Sequence, residues 1–240
     1  MTQSVTLAEI DASEYGGTIT HDRWMESIGI PIHRGYYIED LRTVELGFWR
    51  ERECNAAFVQ LDGMRGVCET RVTEIAPGQT LPPLRLGFDE AVYVLEGNGL
   101  GTVWPMENEL KHSFEWGPRS LFMIPRHHWA QLGNAHGDRP VRLMHFNYLP
   151  LAMSGSNSPW FFFNNPYVDP VEAKEVYAEA TVSRMIGEHD DPYLWIGNFF
   201  PDLQAWDKLA QYQHRGAGGH HLQIKFPNTE MIAHMSVFDA

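Results

Sequence analysis

The sequence predicts an all-β barrel as its main fold, and two observations carry that prediction. Between residues 44 and 148, short runs of alternating apolar and polar residues are separated by turn residues, as a barrel of short strands requires. The run Glu-Gly-Asn-Gly at 96–99 is typical of a tight hairpin turn. Strands are predicted at 57–61, 67–75, 91–95, 99–104, 120–124 and 141–146.

The barrel is expected to occupy residues 44–150 and to follow an N-terminal arm at 1–43. Within the arm, Thr20 or Asp22 is suited to cap a short helix, because a side-chain oxygen can accept a hydrogen bond from a free backbone N–H. Within the barrel, the polar stretch 105–112 predicts a loop between two strands.

Residues 151–219 are expected to form a crossover segment that is partly helical, with helices predicted at 171–186 and 202–212. The segment carries a group of aromatic residues: Trp160, Phe161, Phe162, Phe163 and Tyr167. These aromatic residues predict a satellite core beneath the segment, an aromatic lid over a pocket, or a dimer contact. The sequence leaves the three interpretations open.

Residues 220–240 read as the start of a second, truncated barrel. Aligned without gaps, 222–224 lies over 59–61 and 231–237 lies over 68–74, with the same alternation of apolar and polar residues. We therefore expect an apolar face on this segment that lacks a partner sheet. The alternative is that these strands complete the sheets of the first barrel.

Composition limits the class of protein and its partners. The chain has 18 Lys and Arg against 31 Asp and Glu, a formal net charge of −13, which repels phosphate backbones and argues against nucleic acid as a partner. Its two cysteines, Cys54 and Cys68, form no CxxC pair, so a thiolate zinc site is not expected. With no signal-peptide pattern and no apolar run of about 20 residues, a cytoplasmic protein without a membrane partner is expected.

Two stretches carry a resemblance to a known family. Residues 78–97 read GQTLPPLRLGFDEAVYVLEG, and 124–134 read IPRHHWAQLGN. The spacing of Gly78, Glu90 and Gly97, and of Pro125 and Asn134, resembles the cupin superfamily. The resemblance implies a cupin double-stranded β-helix, a jelly-roll barrel.

The same resemblance implies that the metal ligands of this barrel are lost. Leu84, Leu86 and Ala130 stand where metal-binding cupins carry histidines, and His127 stands where they carry glycine. Leucine and alanine offer no lone pair to Fe, Mn, Ni or Zn, so no metal is expected here. Because alternate residues of a barrel strand point inward, Leu84, Leu86 and Glu90 are expected to share one lining.

A finer resemblance is to bacterial two-barrel cupins. The matching pieces are GIPIHRGYYIEDLRTVELGFW from Gly29, the barrel stretch 82–97, FEWGPRSLFMIP from Phe114, FNNPYV from Phe163 and RGAGG from Arg215. Arg119 departs from the pattern, because it replaces a usual glycine. The resemblance implies a first barrel without metal and a divalent metal in an absent second barrel, as in ring-cleaving dioxygenases of the gentisate type.

Ligand-pocket candidates follow from the motif positions and from the histidines near them. They are Leu84, Leu86, Glu90, Val92, Ala130, His128 and His145, with Glu90 as the polar contact. Glu90 is either a buried acid with a raised pKa or a scaffold carboxylate bonded to Arg85 or a water. A metal site relocated to His127, His128 and His145 is a further alternative, whereas the pair at 220–221 is expected at a surface strand.

The function expected from the sequence is the non-metal structural or ligand-binding half of a bicupin related to aromatic-acid dioxygenases. One alternative is a non-catalytic cupin that binds or senses a small ligand. A second is a metal-independent isomerase or epimerase whose base is His128 or His145. The expected partners are a small molecule and either a second copy of the chain or an intramolecular second barrel; catalytic residues stay unassigned.

Overall fold

The structure, a computed structural model, describes residues 20–105, 110–156, 159–163, 181–183, 194–206, 213–214, 220–227 and 229–237. Its helices are α1 (Thr20–Ile28), α2 (Leu149–Met153), α3 (Pro159–Phe163) and α4 (Leu203–Trp206), with a 3-10 turn at Arg50–Arg52. Strands β1 to β8 are Ile32–Gly35, Gly47–Trp49, Cys54–Leu61, Glu69–Ile75, Leu84–Arg85, Glu90–Glu96, Gly99–Trp104 and His112–Trp116. Strands β9 to β17 are Leu121–Ile124, Trp129–Asn134, Val141–Asn147, Thr181–Ser183, Leu194–Ile196, Phe199–Phe200, Gln213–His214, His220–Lys225 and Ile232–Val237.

Two sheets face each other and form a jelly-roll barrel. The larger has the strand order β1-β3-β4-β11-β6-β9-β14, with β2 paired to β3, and the smaller has the order β5-β10-β7-β8. Val92 and Phe122 from the larger sheet meet Val103 and Leu132 from the smaller in one buried core. The predicted all-β jelly-roll fold is confirmed.

Each strand predicted from the alternating pattern is present, with ends within three residues of the prediction. Among the strands of the two barrel sheets, the pattern missed β1, β2, β5, β8, β10 and β14. The loop predicted at 105–112 ends at the first residue of β8, and its residues 106–109 lie outside the described ranges. The missed strands are short or carry residues that resemble turns. In β10, for example, Gly133 and Asn134 lie at a strand end where Asn134 donates hydrogen bonds to three backbone carbonyls.

The predicted hairpin at 96–99 is wrong in its pairing, because β6 and β7 belong to different sheets. The chain turns here from the larger sheet into the smaller one. Gly97 makes the turn possible: its φ is +88°, and a Cβ atom would lie 2.3 Å from Cγ1 of Val141. The run Glu-Gly-Asn-Gly correctly predicted a turn. It could not predict which strands pair, because a turn between two sheets uses the same residue types as a hairpin turn.

Inward-facing residues become polar toward one end of the barrel. Along β4 they run Ile75, Thr73, Arg71 and Glu69, along β11 Val141, Leu143, His145 and Asn147, and along β6 Val94, Val92 and Glu90. Because β4 and β6 both pair antiparallel with β11, the polar residues of all three strands meet at the same end. This alignment of short sequence patterns builds the candidate site.

Helices α1 and α3 pack near that polar end. His21 of α1 lies 2.7 Å from Oε2 of Glu69, and the Trp24 ring stacks on Phe163 at 5.1 Å between centroids. Phe162 is buried in a cluster with Leu86, Phe88, Leu149 and Met153. The helix predicted near Thr20 is confirmed. Of the aromatic residues in the crossover segment, Phe162 and Phe163 pack as a satellite core. Tyr167 lies outside the described residues.

The C-terminal strands form a third sheet of their own. Its order is β12-β13-β16-β15 with β17 paired to β16, so these strands do not complete either barrel sheet. The helix predicted at 171–186 is wrong at Thr181–Ser183, which is a strand; 171–180 and 184–186 lie outside the described residues. Of the helix predicted at 202–212, the structure has α4 at Leu203–Trp206, and 207–212 lies outside the described residues.

The expectation of an uncovered apolar face on this segment is also wrong. Ile224, Phe226 and Met231 are buried together with Ala91 and Met123 of the larger barrel sheet. The outer face of that sheet therefore supplies the partner surface, which the sequence pattern of the segment alone could not reveal.

Candidate functional site

A small cavity of about 100 Å³ lies inside the barrel. Its apolar wall includes Leu81, Pro82, Leu84, Ile124, Ala130 and Leu132. Its polar wall includes Trp49, Glu51, Arg52, Cys54, Arg71, Thr73, Glu90 and His145. The cavity therefore combines a hydrocarbon surface with a cluster of charged and hydrogen-bonding groups, which is the usual composition of a small-molecule site.

Glu90 is at the centre of the polar cluster and is 1% exposed. Its Oε1 accepts hydrogen bonds from Nη2 of Arg71 and from Nδ2 of Asn147, the latter at 3.3 Å. Its Oε2 lies 2.8 Å from Nδ1 of His145. Both oxygens are therefore occupied by groups of the chain itself.

The hydrogen-bond network fixes the proton on His145. A carboxylate can only accept, so Nδ1 of His145 must carry the hydrogen that Glu90 receives. The opposite nitrogen, Nε2, lies 2.8 Å from Oγ1 of Thr73 and accepts the hydrogen of that hydroxyl when the ring is neutral. A His145 base acting on a ligand would have to give up this bond to Thr73.

The charges around Glu90 favour its ionised form. Burial alone would raise its pKa, but the charge of Arg71, followed by the interaction with His145, holds the pKa of Glu90 well below its ordinary 4.5. The expectation of a raised pKa is therefore wrong. The scaffold interpretation holds with a different partner, because Arg71 rather than Arg85 binds the carboxylate; Arg85 bonds the backbone of His127.

His145 is buried and neutral in this setting. Burial lowers its pKa below the ordinary 6.5, and the nearby Glu90 charge opposes that effect without cancelling it. The positive charge of Arg71 adds to the lowering.

Arg71 lies between two buried carboxylates. Its Nη1 donates to Oε1 of Glu69 and its Nη2 donates to Oε1 of Glu90. Glu69 is also bound by His21 at 2.7 Å and by Asn147 at 3.1 Å. A fully buried arginine held by two acids is a fixed positive charge at the polar end of the barrel.

Two residues of the cavity wall each have a buried hydrogen-bond donor that lacks a partner among the described residues. The donors are Nε1 of Trp49, a residue that is 3% exposed, and Nη2 of Arg52. The Arg52 guanidinium lies 5.4 Å from the centre of the Trp49 ring. Each buried donor without an acceptor costs about 1–3 kcal/mol, so such groups call for an explanation.

Arg52 keeps its charge at neutral pH. Burial, and then the positive charge of Arg71, lower its pKa to about 10, which is still above the physiological range. Sequence reasoning missed Trp49, Arg52 and Arg71, since none belongs to the motif positions. The available signal was that Arg71 shares one face of a predicted strand with Ile75, which alternation places in the core.

The structure brings together part of the predicted pocket. Leu84, Glu90, Ala130 and His145 line the cavity. His128 is buried, with Nδ1 at 3.1 Å from the backbone oxygen of Arg126, and does not line it. The ligand-binding role of the lining residues stays a prediction.

The expected common lining of Leu84 and Leu86 is wrong. Strand β5 ends at Arg85, so alternation does not extend to Leu86. Leu86 is buried with Leu149 and Met153 and does not line the cavity, whereas Leu84 packs against that cluster and also lines the cavity. Val92 points into the barrel but is buried in the core below the cavity.

The described residues do not fit the metal that the cupin resemblance implies for such barrels. Glu90 is held by Arg71 and His145, and the other ligand positions are hydrocarbon. Within the described ranges, no group of three or more His, Cys, Asp or Glu side chains has the arrangement of a metal site. The relocated site predicted at His127, His128 and His145 forms no such group in this part of the chain either, and the rings of His128 and His145 bond other groups.

No protein-family model and no curated protein sequence matches the chain. It is similar to the solved cupin domain of Schizosaccharomyces pombe Cnp3, at 18% identity and a TM-score of 0.37 over 45% of this chain and 66% of that one. A Lactobacillus farciminis oxalate decarboxylase in a formate complex matches at 12% identity and a TM-score of 0.38, over 46% of this chain and 34% of that one. BH2720 from Bacillus halodurans matches at 21% identity and a TM-score of 0.34, over 40% of this chain and 68% of that one.

The chain thus spans just under two thirds of the first of these proteins and about one third of the second. At such identities and TM-scores the likeness says nothing about function. The strand order is that of a jelly roll, and the motif spacing described above resembles that of cupins. Among the described residues, no helix is long and apolar enough to cross a membrane.

Proposed function

We propose that this cupin barrel binds a small organic molecule and does so without a metal ion. The observation that carries the proposal is the occupation of Glu90: Arg71 and Asn147 bind one oxygen and His145 binds the other. A cation is therefore already present at the carboxylate, and it is a guanidinium. Removal of Arg71 to admit a metal would leave Glu69 without its closest charge partner.

The cavity supports binding rather than a purely structural interior. A filled barrel core would have hydrocarbon in contact on every side, whereas this barrel leaves about 100 Å³ between Leu84, Ala130 and the polar cluster. Two residues of the wall, Trp49 and Arg52, have buried donors without an acceptor among the described residues, and such donors call for a partner. The role fits the non-catalytic alternative drawn from the sequence.

The experiment is methyl-labelled NMR on the chain after treatment with EDTA. The methyl groups of Ile124 and Ala130 lie in the cavity wall, and the exposed Ile232 serves as a control. We expect small organic molecules to shift the Ile124 and Ala130 signals and to leave Ile232 unchanged, with or without added Mn²⁺ or Zn²⁺. Shifts that appear only after a metal is added would overturn the proposal.

A second candidate role is that this barrel is one half of a bicupin related to gentisate-type dioxygenases. The support is a repeated pairing pattern. Strand β3 has β1 parallel to it and β2 and β4 antiparallel to it, and β16 has β13 parallel to it and β15 and β17 antiparallel to it. The third sheet therefore repeats the arrangement in which the first barrel begins.

The bicupin role is tested by the codons that follow Ala240 in the reading frame. We expect a glycine followed by the H-x-H-x3-E spacing within about one further domain length. A stop codon, or a continuation without histidines at that spacing, would contradict a metal-binding second barrel. The metal-free binding role of the first barrel does not depend on this outcome.

A further inference from the structure

The two unpartnered donors of the cavity differ in kind and lie on adjoining elements. Trp49 ends β2, and Arg52 ends the 3-10 turn that follows directly. One donor is a neutral indole N–H and the other belongs to a guanidinium. The guanidinium carbon lies 5.4 Å from the centre of the indole ring, so the two residues lie in one small region of the wall.

We propose that Trp49 and Arg52 bind the carboxylate of a short monocarboxylic acid, whose hydrocarbon tail lies against Leu84, Ile124 and Ala130. The inference rests on the metal-free binding proposed above and names its ligand class. A carboxylate has two acceptor oxygens and one negative charge, which match two donors of which one is cationic. Neither donor is satisfied within the described part of the chain.

The size of the cavity limits the tail. A cavity of 150 Å³ accommodates benzene, which has six heavy atoms, so about 100 Å³ suits roughly four or five. Acetate and propionate are of this size, whereas benzoate is about twice as large. The binding is expected to be weak, with a Kd of about 1 mM, because so small a ligand makes few contacts.

A competing explanation for Arg52 is charge balance. Glu69, Arg71 and Glu90 together carry one excess negative charge, since His145 is neutral, and Arg52 offsets it. In that case Arg52 would stabilise the empty barrel and have no role toward a ligand. The unpartnered N–H of Trp49 has no place in this explanation, so the two accounts predict different results for a Trp49 variant.

The experiment measures the affinity of sodium propionate by the shifts of the Ile124 and Ala130 methyl groups. Trp49→Phe keeps an aromatic ring and removes the N–H, and Arg52→Gln keeps a polar chain and removes the charge. Arg50→Gln, on the exposed side of the same turn, is the matched control. We expect Trp49→Phe to raise the Kd about 10-fold, Arg52→Gln to raise it at least as much, and Arg50→Gln to leave it unchanged.

Propionamide provides a test on the unaltered chain, which stays decisive if a variant does not fold. It has the shape of propionate without the charge, and we expect it to bind about 10-fold more weakly or worse. Equal binding of propionamide and propionate, or an effect of Arg50→Gln equal to that of Arg52→Gln, would overturn the carboxylate inference. Tighter binding of benzoate than of propionate would overturn the size class.

The two proposals fail in different ways. If neutral molecules shift the cavity methyl groups while propionate does not, the carboxylate inference is wrong and the metal-free binding role stands. If no small molecule of either charge shifts them, both are wrong. Unchanged propionate affinity in a folded Trp49→Phe variant would support charge balance as the role of Arg52 and contradict the inference.

Discussion

Oε2 of Glu90 lies 2.8 Å from Nδ1 of His145, and this bond determines the state of both groups. It fixes the hydrogen on Nδ1, turns Nε2 toward Thr73 and fills the carboxylate oxygen that Arg71 and Asn147 leave free. The cupin resemblance associates the position of Glu90 with a metal. Here the Glu90 carboxylate instead accepts hydrogen bonds from an arginine, a histidine and an amide. The barrel can bury polar groups at this end because these groups satisfy one another's hydrogen bonds.

We expect Glu90→Gln to lower the free energy of unfolding by about 3 kcal/mol. The amide removes a charge that Arg71 faces and offers an N–H where only an acceptor fits. Urea denaturation measures the change, and Glu115→Gln, at an exposed position of β8, is the control, with an expected change within about 0.5 kcal/mol. A similar small loss at both positions would show that the buried network does not stabilise the barrel.

The stability of the chain should fall in acid in two steps. The folded-state pKa of His145 is below 6.5 and that of Glu90 is below 4.5, so in both cases the unfolded chain binds protons more readily. Each group therefore contributes in full to the free energy of unfolding at pH values above its ordinary pKa, 6.5 for His145 and 4.5 for Glu90. The His145 contribution is lost as the pH falls below about 6.5, and the Glu90 contribution as it falls below about 4.5.

Urea denaturation between about pH 8 and pH 2 follows both steps. His145→Asn should flatten the upper step, whereas His33→Asn, at a ring that bonds the backbone of Glu45 near the surface, should not. An upper step of equal size in the unaltered chain and in His145→Asn would contradict the assignment of that step to His145.

The third sheet should contribute to the stability of the barrel through its buried face. Phe226 is 1% exposed and packs with Phe200 and Met123, so Phe226→Ala should cost about 3–5 kcal/mol. Ile232→Ala, at a position of β17 that is 54% exposed, should change the free energy of unfolding by less than about 0.5 kcal/mol. If both changes are equally mild, the C-terminal sheet does not pack on the barrel.

Much of the barrel could be predicted from short-range patterns. Strand alternation located the main strands, and motif spacing located positions of special backbone geometry. Arg119 and His127 replace residues that the resemblance expects to be glycine, and both keep a positive φ, of 69° and 61°. The fold thus retains its turns even where the residue that makes them easy is absent.

The candidate site was predicted only in part, since its residues meet through strand pairing. Glu90 and His145 were found because they lie in or near the motif. Arg71 lies opposite His145 across β4 and β11, a pairing that no local pattern reveals. Trp49 and Arg52 come from a turn before the barrel motif, and Leu86 left the expected lining because β5 is only two residues long.

The most direct test of the metal-free barrel is the addition of Mn²⁺ to the methyl-labelled chain. A Mn²⁺ ion at Glu90 would broaden the signals of nearby methyl groups, and Ile124 and Ala130 line the same cavity. With about one equivalent of Mn²⁺ we expect the Ile124 and Ala130 signals to lose no more intensity than the Ile232 signal does, because Arg71 and His145 hold the carboxylate. Selective loss of the Ile124 and Ala130 signals, reversed by EDTA, would show a metal bound at Glu90 and contradict the account.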